Sequence, residues 1–328
     1  MRVVVFSAMT VEQSKLQTAG PNLDWQFVSA ALNRDTAAMA NGADAVAAFV
    51  NDHVDAACLQ RLAELNIRAL VLRCAGFSQV DLRAAKQWNI RVARVPAYSP
   101  YAVAEHAVAL LLTLNRKIHR AWNRVREGNF ALDGLVGFDL YGKTVGVIGT
   151  GKIGRVFAHI MLGFGCRVLA CDPVCDPDLQ QQGVRYVVLD ELLQNSDIIS
   201  LHCPLSPQTH HLLNAERLAQ LKPSVYLINT GRGALLDTKA VIQRIKQQAI
   251  GGLALDVYEE EAGIFFADHS AQGLSDDQLA RLMTFPNVLI TGHQGFCTEQ
   301  ALREIARTTV ANIDALVQGK HCQNEITI

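Results

Sequence analysis

A strand-like apolar run, Val145-Gly146-Val147-Ile148, passes directly into Gly149-Thr150-Gly151-Lys152-Ile153-Gly154 and then into an apolar-faced helical segment reaching Phe164. Few arrangements accept three glycines at that spacing between a buried strand and a helix. Gly149 permits the tight turn, Gly151 lets the backbone approach an anion, and Gly154 lets helix and strand pack closely. The helix start presents unbonded N–H groups and the positive end of its dipole to a pyrophosphate. The pattern alone is weak, because glycine is common, and its weight comes from the strand before it and the helix after it.

The same alternation runs through nearly the whole chain. Strand candidates in the first third are Val3–Phe6, Ala45–Val50, Ala69–Arg73 and Arg91–Val95, separated by helix-length segments such as Asp55–Leu65 and Val80–Trp88. One long helix is expected from about Tyr101 toward Arg126, and 128–142 reads as loop. A second series has strands at Thr144–Ile148, Arg167–Cys171, Ile198–Leu201, Val225–Asn229, Gly252–Val257 and Val288–Thr291, and Glu299–Val317 reads as one amphipathic helix. This is the βαβ signature of α/β architecture. It predicts two doubly wound parallel-sheet domains with a cleft between them: one of residues 1–98 plus 297–328, and a Rossmann-type domain of 99–296 holding the glycine loop.

The strand after the loop ends at Asp172, eighteen residues beyond Gly154. An acidic side chain there accepts hydrogen bonds from ribose hydroxyls and repels a 2′-phosphate. Pro173-Val174-Cys175 supplies no arginine to offset it, so NAD(H) is favoured over NADP(H).

Composition narrows the partners. A formal charge of −1 gives no general attraction to nucleic acid or anionic lipid. Ala102–Leu114, the most apolar helical stretch, is about two-thirds of a membrane span and includes Glu105 and His106. The Met1–Phe6 start reads as a strand rather than an export signal. Eight cysteines without a C-x-x-C pair suit reduced thiols in the cytoplasm. No metal site is expected: His210 and His211 are adjacent on a loop and should point apart, and Cys171 with Cys175 spans a strand end and a proline. The basic run Arg116, Lys117, Arg120, Arg124 and Arg126 reads as a solvated or subunit-contacting face.

Reducing a carbonyl by hydride requires a cation for a carboxylate, a proton donor, and a group that orients the donor. Arg232, in Asn229-Thr230-Gly231-Arg232-Gly233, follows a strongly apolar strand, and flanking glycines should give it backbone freedom to aim its planar fork. His293 follows the last strand in Thr291-Gly292-His293-Gln294. Glu261 closes Asp256-Val257-Tyr258-Glu259-Glu260-Glu261, where nothing intrinsic distinguishes the third glutamate.

These segments, with Arg73-Cys74-Ala75-Gly76-Phe77, Val95-Pro96-Ala97-Tyr98-Ser99-Pro100, Ala104-Glu105-His106-Ala107 and His202-Cys203-Pro204-Leu205, resemble the D-2-hydroxyacid dehydrogenase family over nearly the whole chain. Phe265-Phe266-Ala267-Asp268 is most similar to its bacterial D-lactate branch. The resemblance implies a flavodoxin-like substrate domain beside the Rossmann domain, and reversible NAD-dependent reduction of pyruvate to D-lactate. It implies that Arg232 binds the substrate's carboxylate and carbonyl side, that His293 gives the proton, and that Glu261 accepts the other imidazole N–H. By the same resemblance Ala75 and Gly76 cradle the carboxylate through backbone N–H groups, while Phe49, Tyr98 and Phe296 wall the pocket. Ile153, Cys203, Pro204, Thr209, Thr230 and Asp256 would lie along the NAD, Asp256 toward the carboxamide. Gly295 departs from the alanine expected beside the acid. The implied partner is a small 2-ketoacid or 2-hydroxyacid, with no nucleic acid and no membrane, in a homo-oligomer, dimer or tetramer. Two other readings stand: a reductase of another small or aromatic 2-ketoacid, and an NAD-sensing corepressor-like binding protein.

Overall fold

The short apolar runs become parallel strands of two sheets in a computed structural model that describes residues 1–327. The chain divides into two compact units, Met1–Ser99 with Phe296–Ile328, and Pro100–Gly295.

In the first unit, β1 (Arg2–Val5), β2 (Asp24–Phe27), β3 (Ala45–Ala48), β4 (Ala69–Leu72) and β5 (Arg91–Arg94) lie in the order β2-β1-β3-β4-β5. This is the flavodoxin-like order, with its switch point between β1 and β3. Strands β3 and β4 are buried along their whole length, as continuous apolar runs in parallel sheets should be. Helix Glu299–Val317 packs on β3, β4 and β5 and against helix Thr10–Ala19, so the end of the chain completes the unit that its beginning opened. Asp55, Asp81 and Thr298 each accept a backbone N–H at a helix start, contacts that stabilise by about 1 kcal/mol apiece.

The second unit has β6 (Thr144–Ile148), β7 (Arg167–Cys171), β8 (Arg185–Tyr186), β9 (Ile198–Leu201), β10 (Tyr226–Asn229), β11 (Gly252–Leu255) and β12 (Val288–Ile290), in the order β12-β11-β10-β9-β6-β7-β8. Here the order reverses between β6 and β9. Ligands of open α/β sheets bind beyond the strand ends at such a reversal.

Two elements escape a pattern-based reading. Strands β2 and β8 lie at sheet edges and are part-exposed, so neither carries a buried apolar run. The expected helix from Tyr101 to Arg126 is in fact two, Pro100–Arg116 and Ile118–Arg126, separated by Lys117 in the left-handed region at φ 52°. The first half buries nine residues and the second buries none, so packing on the unit gives no reason for the second to continue the axis. Instead the basic side chains fold the next loop back, with Lys117 Nζ donating to Val136 O and Arg124 Nη1 to Asp133 O, both at 2.7 Å.

Candidate active site and cofactor site

The glycine loop follows β6, at the switch point. Gly149 adopts φ 92°, and a Cβ there would lie 2.5 Å from Cys203 N, so only glycine lets the loop touch the turn after β9. At Gly154 a Cβ would fall 1.9 Å from Gly149 O. Gly151 differs: its Cβ would meet nothing within 4 Å, which leaves the space before the helix open to a ligand. Helix Lys152–Gly163 starts at Gly151 with no side-chain cap, whereas Asp176, Asn214, Asp237 and Asp276 cap other helices of the unit. Its first N–H groups are therefore available to an anion. Lys152 is exposed beside them and Ile153 half-buried.

Asp172 stands just beyond β7 and accepts from Thr150 N at 2.7 Å and Val174 N at 2.9 Å. Those bonds fix the carboxylate against the loop while each oxygen keeps a lone pair. Across the switch point, the Thr209 hydroxyl donates to Pro204 O and accepts from Ser206 N, both at 2.7 Å, closing the 203–209 turn. Burial pushes the Cys203 thiol up to about 11, so it sits there as a neutral apolar group. Thr230 Oγ1 is buried without a hydrogen-bond partner among the described residues. A hydroxyl in that state fits a ligand that supplies the missing partner. Anion-ready helix, open glycine, ribose-ready acid and orphaned hydroxyl together fit a dinucleotide.

Beneath the loop, His202 contacts the Phe157 ring, and its Nε2 lies 2.8 Å from Oγ of fully buried Ser200. Although the residue as a whole is half-buried, burial of the ring pushes its pKa down to about 3. The unfolded chain therefore protonates this imidazole first, near pH 6.5. Its contribution to stability is complete above that pH and declines by about 1.4 kcal/mol per unit as pH falls toward 3. Melting curves of wild type and His202→Asn should diverge between pH 7 and 5, the wild type losing about 2 kcal/mol more. Parallel pH dependences would show that the ring is not held neutral.

The catalytic candidates collect at the carboxyl ends of β10, β11 and β12. His293 Nδ1 lies 2.8 Å from Glu261 Oε1, and Glu261 Oε2 accepts from Tyr258 N at 3.1 Å. One glutamate of the three thus meets the histidine, while Glu259 turns to His211 and Glu260 is exposed. The ring of Phe266 lies 5.7 Å from that of His293. His293 itself adopts φ 53°, an uncommon conformation that surrounding structure must enforce.

Asp256 provides that enforcement. Its carbonyl accepts from His293 N at 2.7 Å, and its carboxylate accepts from Gln294 N at 2.9 Å and Gly295 N at 2.8 Å. His106 Nε2 at 3.2 Å and Thr291 Oγ1 at 2.6 Å complete its shell, so His106 has a structural hydrogen bond. Burial opposes ionisation of Asp256, but the bonds from His106, Thr291, Gln294 and Gly295 outweigh it and hold the carboxyl below its usual range. The residue is 1 % exposed and clamps the His293 turn. An alanine at 295 would bring Cβ to 3.0 Å from Asp256 Oδ2, so glycine relieves a close contact with this clamp.

Arg232 is half-buried and forms no ion pair among the described residues; its Nη1 donates to Gly231 O at 2.8 Å. Its backbone is extended, φ −140° and ψ 137°, so the flanking glycines do not serve the freedom expected of them. Gly233 is required for another reason: its Cβ would lie 2.0 Å from Tyr258 C. The arginine loop is thereby packed directly on the backbone leading to Glu261.

In the first unit, Phe49 directly follows β3 and is buried, with the Phe296 ring 5.8 Å away and Tyr98 edge-on to Phe296 at 6.3 Å. Ala75 and Gly76 follow β4, tied by Arg94 Nη1 to Ala75 O at 2.7 Å and by Cys74 Sγ to Gly76 O at 3.3 Å. Below them, fully buried Arg73 pairs with Glu12, bonds Phe6 O, and lies 5.1 Å from the Phe49 ring. Sequence reasoning missed this support. An arginine at the end of a buried strand was its signal, since a buried guanidinium needs a partner.

One expectation fails outright. His210 and His211 do not point apart: their rings stack with centroids 4.0 Å apart. Left-handed His211, φ 48°, turns the second side chain onto the side of the first.

Comparison with known proteins shows the family of the chain. Residues 108–295 match the family described as D-isomer specific 2-hydroxyacid dehydrogenase, NAD binding domain. The chain is 51 % identical to a 2-hydroxyacid dehydrogenase homolog of Zymomonas mobilis, over 98 % of both proteins. It is 47 % identical to D-lactate dehydrogenase of Escherichia coli, covering 99 % of this chain and 100 % of that one, and the apo-structure of the Escherichia coli enzyme superposes with a TM-score of 0.92. The structure of the pyruvate reductase of Chlamydomonas reinhardtii gives a TM-score of 0.94 at 44 % identity, covering 99 % of this chain and 98 % of that one. The chain is an NAD-dependent enzyme and belongs to the D-isomer specific 2-hydroxyacid dehydrogenase family.

Proposed function

We propose that the protein reduces pyruvate to D-lactate, reversibly, with His293 as the proton donor. The observation that carries this reading is the His293–Glu261 contact at 2.8 Å in the same unit as Arg232, a half-buried cation that lacks an ion-pair partner among the described residues. NADH, when bound, supplies the hydride. Arg232 offers its fork to the carboxylate and polarises the carbonyl oxygen. His293 gives a proton from Nε2 to that oxygen as the carbonyl is reduced, and takes it back in the oxidation direction. Glu261 holds Nδ1–H, which fixes the ring and leaves Nε2 to the substrate. Ala75 and Gly76 offer N–H groups to the carboxylate, and Phe49, Tyr98 and Phe296 favour a short apolar side chain. We assign the first unit to substrate and the second to cofactor, with Asp172 on the adenosine ribose and Thr230 on the nucleotide. The D-lactate dehydrogenase and pyruvate reductase among the relatives support pyruvate over larger acids.

Rates of NADH oxidation across a series of 2-ketoacids, with chiral analysis of the product, test this. Pyruvate should give the highest kcat/KM and D-lactate the product. A higher kcat/KM for phenylpyruvate or a branched acid would reassign the substrate, and no oxidation with any 2-ketoacid would reject the reaction.

We place the enzyme in the cytoplasm, where its free cysteines would stay reduced; no described helix is long and apolar enough to cross a membrane. We also propose a homo-oligomer joined through residues 118–141. Trp122, Val125, Phe130, Leu132 and Val136 are all exposed there, an apolar surface that a soluble monomer rarely leaves uncovered. Sedimentation should find at least a dimer for wild type and smaller species for Trp122→Glu; identical profiles would place the interface elsewhere.

A further inference from the structure

The stacked histidines have a third companion. His211 Nε2 lies 2.5 Å from Glu259 Oε1, and one ligand atom from each of His210, His211 and Glu259 falls within 4.8 Å of the others. None of the three has a part in the proposed reduction. We propose that they form a binding site for a divalent transition-metal cation of the zinc or cobalt class, with water completing the coordination.

Two imidazoles and a carboxylate are the donors that borderline cations take, whereas magnesium and calcium prefer oxygen throughout. The carboxylate is oriented: Oε1 faces His211 Nε2, and Thr238 N donates to Oε2 at 3.3 Å. An outer partner of this kind fixes a ligating carboxylate. His211 is anchored too, its backbone N–H donating to Ala234 O at 2.8 Å. His210 is exposed, so an ion can approach from solvent. The left-handed backbone at His211 is what places both rings on one side; an extended dipeptide would separate them. The site joins the turn containing Thr209, the loop following Arg232 and the segment leading to Glu261. Binding is read without substrate or cofactor, so its outcome is independent of the proposed reaction.

The test is titration of metal-free protein with Co²⁺, followed by its visible d–d absorption and by displacement with Zn²⁺. Wild type should bind one equivalent with the intense absorption of a low-coordinate site. His210→Ala and Glu259→Gln should each weaken binding at least about tenfold, and His210→Ala should retain wild-type NADH turnover in the absence of metal. Glutamine at 259 can still accept from His211 and Thr238, so its effect reports the lost ligand charge rather than a disturbed fold. No Co²⁺ absorption in wild type, or unchanged affinity in either variant, would overturn the site.

Discussion

An enzyme with asparagine at position 293 is expected to lose about 10²–10⁴-fold in kcat, the range for removing a positioned general acid, while its affinity for NADH changes little. Asparagine can occupy the left-handed conformation that His293 adopts at φ 53°, so the turn should survive and the loss should report proton transfer. Glu261→Gln makes a graded companion. Glutamine can still accept from Nδ1, now at 2.8 Å from the glutamate, but it carries no charge to stabilise an imidazolium. Its loss should be smaller than that of His293→Asn and should fall on kcat more than on KM. Steady-state kinetics with pyruvate, together with NADH binding followed by fluorescence, would measure both. A fall below tenfold in His293→Asn would remove the histidine from the chemistry.

How much of this was legible beforehand depends on whether an element carries its own reason in its residues. Strands β3, β4 and β6 are apolar because both their faces are covered, and they read as strands without any context. Edge strands β2 and β8 have no such reason, and the break at Lys117 follows from what Ile118–Arg126 does not bury, a matter of packing rather than propensity. The glycine loop was legible because Gly149 and Gly154 each answer a separate steric demand, while Gly151 leaves the space before the helix open. Glu261 was not: three glutamates in a row diverge only when the turn after β11 sends Glu259 toward His211 and Glu261 toward His293. Asp256 illustrates a further limit. Its identity was clear and its place near the nicotinamide was implied by resemblance, but its bonds to three successive peptide groups around His293 exist only once the turn after β12 folds over it. The histidine pair misled for a related reason, since a rule for extended neighbours does not apply across a left-handed residue.

The two glycines that flank Arg232 separate the sequence-based rationale from the structural one. If they served backbone freedom, replacing either by alanine would be comparably harmful. Arg232 is extended, however, and the two sites differ in what a Cβ would meet. At Gly231 the nearest atom is Leu201 O at 3.4 Å, an ordinary contact. At Gly233 the Cβ would lie 2.0 Å from Tyr258 C, 2.1 Å from Tyr258 O and 2.3 Å from Glu259 N. These are backbone atoms, and no rotamer change relieves them; the arginine loop and the segment leading to Glu261 must separate. Overpacking of this kind costs about 1–3 kcal/mol or more, and a displacement of about 1 Å can cost 10²-fold in rate. Gly233→Ala should therefore melt several degrees below wild type and lose about 10²-fold in kcat/KM for pyruvate, whereas Gly231→Ala should melt within about 0.5 kcal/mol of wild type. Because the clash pushes Arg232 and Glu261 apart together, Gly233→Ala combined with Glu261→Gln should lose less than the product of the two single effects. Strict multiplication would mean that the close contact at Gly233 supports the fold but not the alignment of the arginine with the histidine–glutamate pair.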